Sequence, residues 1–229
     1  MPIQLLSNRR QQIKTVAAEI IEPRYNKAIM GALGFERDLG AAAEFYNLSK
    51  DVRDYILQPV PIIWSDLPNR NGVAFPISSL TEWVKEKGCR AYMGWKGQAV
   101  RLEHDWEGEA IGLIPDVAIR PLRGFGNNRL WKIVLLHAVD RTKNVEIAKA
   151  IETGKRNSWS MGCLVSYFTC SVCGSDAPSC DHLRKDETFR VTSNGITFRN
   201  AHGIMAEESS SVGDPAYGQA IGEIVVKYT

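Results

Sequence analysis

The sequence predicts an α+β fold that is mainly β, with surrounding helices and a small cysteine-rich insert. A near-continuous apolar run from Leu130 to Val139 is typical of a strand buried on both faces. Short apolar stretches separated by Gly, Pro and Asn turns occupy most of residues 58–229. Three cysteines and a histidine lie close together within residues 166–186, where little else could build a core.

Length and composition describe an ordinary globular protein. The chain has 229 residues, enough for one large or two small domains, with 44% hydrophobic and 24% charged residues. A net charge of +2 gives no global electrostatic reason to expect binding to nucleic acid or to an anionic membrane. We expect no membrane span, because no apolar run reaches about 18 residues, and no signal peptide, because residues 1–12 have no continuous apolar run. An odd cysteine count of five favours a reducing compartment over a disulfide framework.

Residues 1–57 are predicted to form a helical segment that precedes the main domain of residues 58–229. Ile13, Val16 and Ile20 follow helical spacing until Pro23 stops the run. This segment is interpreted either as a removable propeptide or as a helical layer of the main domain.

Within residues 58–229 the pattern predicts several strands and two helices. The helices run from Ser78 to Lys87 and, between the cap Asn144 and Gly154, from Val145 to Thr153. The strands are Val60–Trp64 (an edge strand entered through prolines), Tyr92–His104, Leu130–Val139, Ser158–Val165, a hairpin around Ser193-Asn194-Gly195, and Ile221–Tyr228.

Ser160 is a candidate nucleophile on the strand Ser158–Val165. A serine hydroxyl attacks only when a base takes its proton, and most strand serines have no such partner. Gly162, two residues on and on the same face, allows close approach of a substrate carbonyl. The backbone N–H groups of Met161 and Gly162 are therefore candidates for an oxyanion hole.

The chain has four histidines from which a base could come. His104 ends a predicted strand and precedes a polar turn, a natural position for an exposed imidazole. His137 lies within an apolar strand and is interpreted as a hydrogen-bonded core residue. His182 belongs with the cysteines, and His202 has no distinguishing pattern. The pattern alone leaves open whether His104 is a base or an ordinary surface histidine.

A metal site is predicted from the spacing Cys170-x-x-Cys173 and Cys180-x-His182. Three thiolates and one imidazole make a closed tetrahedral site of the kind that holds structural zinc, with no position left for a catalytic water. A redox-active CxxC pair and unliganded cysteines are the competing interpretations.

Three segments, in order, resemble the capsid maturation (prohead) proteases of tailed bacteriophages, large-phage type, which are related to the herpesvirus assemblins. The segments are His104-Asp105-Trp106-Glu107-Gly108-Glu109-Ala110-Ile111-Gly112-Leu113-Ile114, then Ser158-Trp159-Ser160-Met161-Gly162, then Glu208-Ser209-Ser210-Ser211-Val212-Gly213-Asp214-Pro215-Ala216. The segment Asn69-Arg70-Asn71-Gly72 is also similar to a sequence segment of the same proteases. The resemblance covers about residues 58–225.

The resemblance implies an assemblin-like β-barrel in which Ser160 is the nucleophile and His104 the general base. Glu208 falls at the third, acidic position. His202, Asp140 and Glu207 remain alternatives for that position, because the assemblins use a second histidine there. Many members lack the cysteine-rich insert, so zinc is expected to stiffen the exit of the Ser160 strand rather than to be required by the fold.

The implied function is that of a serine endopeptidase that cleaves scaffold and major capsid proteins, and itself, inside the prohead in the host bacterial cytoplasm. Cleavage is expected after Glu with a small residue two positions earlier, which makes Glu19 and Glu44 candidate self-cleavage sites. A homo-oligomer is compatible with this role. The alternative is a non-enzymatic zinc-stabilised module that binds protein or nucleic acid through the basic residues of 120–129 and 141–156.

Overall fold

The computed structural model describes residues 41–122, 130–177, 180–183, 187–192, 195–222 and 226–227. The predicted helix around Ile13–Ile20, the candidate cleavage site Glu19, and most of the basic stretch 120–129 lie outside these residues. Residues 41–45 are helical, and a 3-10 turn follows at Val52–Asp54. Among the described residues, no helix has both the length and the apolar character needed to cross a membrane.

The described residues are mainly β, as the sequence predicts. The helices are α1 (Ile77–Thr81), α2 (Val145–Glu152) and a 3-10 helix at Ala91–Trp95. The strands are β1 (Tyr55–Trp64), β2 (Val73–Ala74), β3 (Trp83–Val84), β4 (Cys89–Arg90), β5 (Ala99–Leu102), β6 (Gly112–Pro121), β7 (Trp131–Asp140), β8 (Trp159–Cys170), β9 (Arg190–Thr192), β10 (Gly195–Thr197), β11 (Arg199–Ser211) and β12 (Val226–Lys227).

One curled sheet of eight strands, shaped like a half-barrel, organises the molecule. Its order is β12-β1-β7-β6-β5-β11-β2, and β8 pairs with β11. β11 is antiparallel to β8 along its whole length and parallel to β2 and β5 at its two ends. This long strand therefore joins the part of the sheet that carries Ser160 to the part that carries His104.

The sheet separates two apolar clusters. The larger one contains the buried residues Trp95, Leu135 and Trp159, while the smaller one contains Tyr55, Leu57 and Leu113. Ala43 and Leu48 pack into the smaller cluster and are 0% and 7% exposed. Residues 43–48 thus cover one face of the sheet, and the burial of their apolar side chains stabilises the folded chain.

Several predicted elements are confirmed. The apolar run becomes β7, between β1 and β6. Asn144 caps α2 by accepting a hydrogen bond from the Ile147 N–H (3.0 Å), and Gly154 follows with a positive φ of +71°. The predicted hairpin pairing forms between β9 and β10, with Gly195 opposite Thr192, while the Ser193 and Asn194 of the predicted turn lie outside the described residues.

Other boundaries differ from the prediction. The first strand begins at Tyr55, before the predicted boundary at residue 57/58. Pro59 and Pro61 lie in the part of β1 that pairs, among the described residues, with β7 alone. The last predicted strand is described only at Val226–Lys227. β8 continues to Cys170, so the start of the predicted insert, residues 166–170, belongs to the sheet.

The predicted helix Ser78–Lys87 is wrong beyond Thr81. Glu82 leaves the helical conformation, and Trp83 and Val84 form a two-stranded ribbon with Cys89 and Arg90. Gly88, with φ +63°, closes that ribbon rather than a helix. The glycine signal for a left-handed turn is the same in both cases, so the sequence pattern did not distinguish them.

The predicted strand Tyr92–His104 is shorter in the structure. Ala91–Trp95 is a 3-10 helix that buries Trp95 completely, and β5 spans only Ala99–Leu102. His104 therefore lies in the turn that follows β5, two residues beyond its end.

Candidate active site

The register of β8 against β11 places the candidate nucleophile opposite polar residues. Ser160 pairs with Ser210, and Gly162 pairs with Glu208. Directly opposed residues of an antiparallel pair project from the same face of the sheet. Ser160, Gly162, Glu208 and Ser210 therefore share one face.

A bulge in β11 decides which of two adjacent glutamates reaches this face. The register shifts between Ala206 and Glu208, so that Glu207 is the extra residue. Glu208 is 1% exposed, whereas Glu207 is half-buried. The one-residue ambiguity between Glu207 and Glu208 is thus removed by the geometry, which brings Glu208 to Ser160's face.

His104 reaches the same face through the turn after β5. Glu103 and His104 have φ values of +47° and +57°, a left-handed conformation that costs roughly 1–3 kcal/mol per residue. Two contacts with β11 hold this turn. The Glu103 N–H donates to the Ser211 carbonyl (3.0 Å), and the His104 N–H donates to Ser210 Oγ (3.2 Å).

Glu208 is the hydrogen-bond partner of the His104 ring. The ring Nδ1 and Glu208 Oε1 are 2.7 Å apart, and the hydroxyl of Ser210 donates to the second carboxylate oxygen, Oε2. The indole of Trp95 donates to the Glu208 carbonyl at 3.1 Å. The hydrogen bond to Glu208 raises the pKa of His104 above its usual value, and partial burial opposes this rise.

Gly162 leaves the space that the Glu208 carboxylate occupies. A Cβ built at Gly162 would lie 2.3 Å from Glu208 Oε1 and 3.0 Å from the ring of Trp106. Any side chain here would displace the carboxylate. The sequence reasoning assigned this glycine to close approach of a substrate, whereas the structure assigns it to close approach of Glu208.

Ser160 and His104 both line a cleft of about 340 Å³. Ser160 is 9% exposed, and the His104 side chain is 36% exposed. Among the described residues no hydrogen bond joins Ser160 to His104, and catalytic hydrogen bonds are often loose before substrate binds. Most of the other side chains that line the cleft are apolar, among them Ile62, Val73, Phe75, Trp106, Phe168 and Tyr217.

One of the two candidate oxyanion donors lies on the outer edge of β8. The Trp159 N–H donates to the Ala220 carbonyl (2.9 Å), away from β11. N–H directions alternate along a strand, so the Met161 N–H points to the same side as that of Trp159. The Gly162 N–H points towards β11. The geometry therefore favours Met161 over Gly162 as the donor.

The alternatives for the third position lie elsewhere. His202 is bonded at both ring nitrogens, to Ser79 Oγ (2.9 Å) and Thr169 Oγ1 (2.8 Å). Asp140 accepts bonds from the Ser49 N–H and from Thr142, at the end of β7. Neither residue is bonded to His104.

His137 is buried in the core, as predicted, but the predicted hydrogen bonding is wrong, because neither ring nitrogen has a hydrogen-bond partner among the described residues. It is 0% exposed and its ring lies 4.3 Å from that of Trp159. Burial lowers its pKa to about 3, so the ring is neutral in the fold.

The predicted metal ligands converge. One ligand atom from each of Cys170, Cys173, Cys180 and His182 can be chosen so that all lie within 4.8 Å of one another. Cys173 Sγ lies 3.5 Å from Cys180 Sγ, which lies 3.3 Å from His182 Nδ1. These separations suit donors around one tetrahedral ion, so the cluster can bind a metal ion.

Backbone groups support the thiolates. The Val172 N–H points at Cys170 Sγ (3.4 Å), and the His182 N–H points at Cys180 Sγ (3.3 Å). Hydrogen bonds from Ser175 lower the pKa of Cys173 to about 6, which favours the thiolate that a metal needs. Outer hydrogen bonds of this kind orient metal ligands.

Sequence reasoning missed two residues of this site. Ser210 lies in the segment Glu208–Ala216, and the sequence gives it no role there, yet it forms hydrogen bonds with both Glu208 and the His104 backbone. Its spacing of two from Glu208 in a strand was an available signal. Trp106 closes over Gly162 from the loop after His104, and no sequence pattern indicates this contact.

Comparisons with family models, with curated proteins and with solved structures found no match to this chain.

Proposed function

We propose that this protein is a serine endopeptidase. The observation that supports the proposal is the contact between the buried Glu208 carboxylate and Nδ1 of His104 (2.7 Å), because His104 lines the same cleft as Ser160. A buried carboxylate held against an imidazole orients that ring and favours one tautomer. Nδ1 is thereby occupied, and Nε2 is the nitrogen that remains for proton transfer.

The proposed reaction is acyl transfer. Ser160 Oγ attacks the scissile carbonyl carbon while His104 Nε2 takes the hydroxyl proton. The carbonyl oxygen becomes an oxyanion, for which the Met161 N–H is the proposed donor. Collapse of this intermediate breaks the C–N bond, and His104 gives its proton to the leaving amine. Water then attacks the acyl ester by the same route and frees Ser160.

The proposed substrates are the scaffold and major capsid proteins of a phage head, together with the protein itself. This part of the proposal rests on the resemblance of the three segments, which also implies action inside the prohead and cleavage after Glu. Among the described residues that line the cleft there is no Lys or Arg. Asn69 and Asn71 also line it, so their side-chain amides are the proposed donors to a glutamate carboxylate.

We propose Zn²⁺ as the ion of the cysteine cluster. Three thiolates and one imidazole are the donors that zinc prefers in closed structural sites. Bound there, the ion supplies a cross-link between Cys170 at the end of β8 and the loop that holds Cys180 and His182. All four positions are filled by protein, so the proposed reaction does not use it.

The test is intact mass against time for the native chain, Ser160→Ala and Ser158→Ala, each with a fluorophosphonate probe in a parallel sample. Ser158 lies two residues away on the same side of the chain and is the matched control. The proposal expects shortening at glutamate and labelling at Ser160 for the native chain and for Ser158→Ala, and neither for Ser160→Ala. Equal shortening of all three chains would mean that Ser160 is not the nucleophile.

The second candidate is a non-enzymatic zinc-stabilised binding module, favoured by the largely exposed ligands Cys173 and His182. A protein that loads zinc, leaves capsid and scaffold substrates whole and is not labelled at Ser160 would support that alternative.

A further inference from the structure

We propose that the metal centre holds one wall of the cleft in place, so that metal loading controls substrate binding rather than the reactivity of Ser160. The wall is the turn Asn69–Gly72, called the cleft turn below. The inference rests on the proposed protease function for its kinetic consequence. Its structural consequence is independent of that function.

The cleft turn is a compact structure with its own internal bonds. Asn69 Oδ1 accepts hydrogen bonds from the N–H groups of Asn71 (3.0 Å) and Val73 (3.2 Å). Gly72 has φ +68°, which favours glycine. Asn69 is buried and Asn71 exposed, and both line the cleft. A shift of this turn would therefore change the shape of the cleft directly.

The first connection to the metal centre runs through the backbone after Cys170. The Ser171 N–H donates to the Phe198 carbonyl (3.0 Å), and the Phe198 N–H donates to Ser171 Oγ (3.0 Å). The next residue, Arg199, donates its N–H to the Gly72 carbonyl at 2.9 Å. The residue beside the first metal ligand is thus two hydrogen-bonded steps from the cleft turn.

The second connection starts between the other two ligands. Asp181 lies between Cys180 and His182, and its carbonyl accepts a hydrogen bond from Arg190 Nη1 (2.9 Å). The same guanidinium forms an ion pair with Glu187 (Nε to Oε2, 3.3 Å). Arg190 therefore connects the ligand pair to the segment that leaves the insert.

That segment lies directly on the cleft turn. A Cβ built at Gly72 would lie 1.8 Å from the carbonyl oxygen of Thr188 and 2.9 Å from its Cγ2. Thr188 can occupy this place only because residue 72 has no side chain. Two connections from opposite sides of the cysteine cluster thus converge on Gly72.

A bound ion would fix the second connection at its origin, because it would join Cys180 and His182 to Cys170, which the pairing of β8 with β11 already holds. Without the ion, Cys170 stays paired with Arg199 in the sheet, whereas the position of Cys180 and His182 relative to Cys170 is less constrained. Ser160 is ten positions earlier on β8 and is held by its pairing with Ser210. We therefore expect metal loss to loosen the cleft turn and to leave the surroundings of Ser160 in place.

The experiment compares full-length protein loaded with Zn²⁺ and the same protein stripped by 1,10-phenanthroline, with metal content measured in each sample. Amide exchange of residues 69–73 is read by mass spectrometry, together with KM and kcat for a peptide substrate and the labelling rate of Ser160 by a small fluorophosphonate. We expect faster amide exchange at 69–73 and a KM raised roughly tenfold, which corresponds to roughly tenfold weaker binding of the substrate. The labelling rate of Ser160 in the stripped protein should stay within about twofold of the rate in the loaded protein, much less than the tenfold change in KM.

If the stripped protein loses its fold, the variant Gly72→Ala tests the contact with the cleft turn while all four metal ligands stay intact. Gly88→Ala is its matched control, since Gly88 has a similar φ of +63° and no neighbour within 4 Å of an added Cβ. We expect Gly72→Ala to keep its zinc and to show the raised KM and faster exchange at 69–73. Gly88→Ala should show neither.

Unchanged exchange at 69–73 after verified metal removal, in a protein that stays folded, would overturn the inference. So would a Gly72→Ala variant whose exchange and KM match those of Gly88→Ala. If the loaded native protein cleaves nothing, the proposed function fails, while the exchange measurement still decides whether the metal holds the cleft turn.

Discussion

Nδ1 of His104 lies 2.7 Å from Oε1 of Glu208, although 104 positions separate the two residues in the chain. The carboxylate is 1% exposed and the imidazole side chain 36% exposed, so the pair runs from the interior of the sheet to the cleft. A buried carboxylate is costly unless it is bonded, and Ser210 and His104 provide those bonds. The pair is therefore the strongest structural reason to treat Ser160 as more than an ordinary strand serine.

The first prediction concerns the Glu208 carboxylate. Glu208→Gln keeps the shape of the side chain but removes the charge that orients His104 in the proposed mechanism. By analogy with loss of the acid in serine protease triads, kcat should fall by about 1,000- to 10,000-fold. Glu207→Gln is the matched control, because the adjacent glutamate lies in the bulge and away from His104. Peptide hydrolysis by both variants provides the measurement, and equal losses would argue against a specific role for Glu208.

The second prediction is a pH dependence set by His104. The base must be neutral to accept a proton, and hydrogen bonding to Glu208 raises the His104 pKa above 6.5. The rate constant kcat/KM should therefore rise with pH along a limb that lies above pH 6.5. In Glu208→Gln the residual activity should show that limb at lower pH. An unshifted limb would mean that another group controls the profile.

The second prediction extends to stability, because the same pKa shift determines how His104 contributes to the free energy of unfolding. A pKa raised in the folded state means that protonation favours folding. The contribution is complete below the unfolded-state pKa of about 6.5 and is lost as pH rises through the folded-state pKa. The Tm difference between the native chain and His104→Ala should thus be larger at pH 5 than at pH 9. A difference that grows with pH would contradict the assignment.

Local signals made part of this structure predictable. The strand of the apolar run Leu130–Val139, the Asn144 cap and the pairing of β9 with β10 are each decided by neighbouring residues, and each forms as predicted. The cysteine cluster also depends on short spacings, and its four ligand atoms converge as those spacings indicate. Such features require no knowledge of which strands pair.

The pairing of strands that are distant in the chain could not be predicted from the sequence pattern. The parallel pairing of β5 with β11 brings the turn of His104 to Ser210 and Glu208. The bulge at Glu207 determines which glutamate faces Gly162. Glycine signals were ambiguous in the same way, since Gly88 closes a ribbon where a helix end was predicted. These outcomes depend on contacts between distant segments, which periodicity does not report.

The third prediction concerns Gly162. Its substitution by Ala would place a Cβ 2.3 Å from Glu208 Oε1, so the carboxylate must move away from His104. Misplacement of an oriented group by about 1 Å can cost roughly 100-fold in rate, and we expect a loss of this order in kcat. Gly218→Ala is the control, because nothing lies within 4 Å of a Cβ added there. Full activity of Gly162→Ala would show that the His104–Glu208 contact is not needed.

The fourth prediction concerns the metal cluster as a source of stability. An ion that binds the folded state alone stabilises it by about 2.7 kcal/mol when its free concentration is 100 times Kd. For a chain of this size each kcal/mol shifts Tm by about 2–4 °C, so removal of zinc should lower Tm by roughly 5–10 °C. Cys180→Ser should lose the metal and show the same decrease, with no further change on addition of chelator. Cys89→Ser is the control, since Cys89 lies outside the cluster and its replacement should preserve both metal content and the chelator effect. A protein that binds zinc at one equivalent but melts at the same temperature without it would show that the ion does not stabilise the fold.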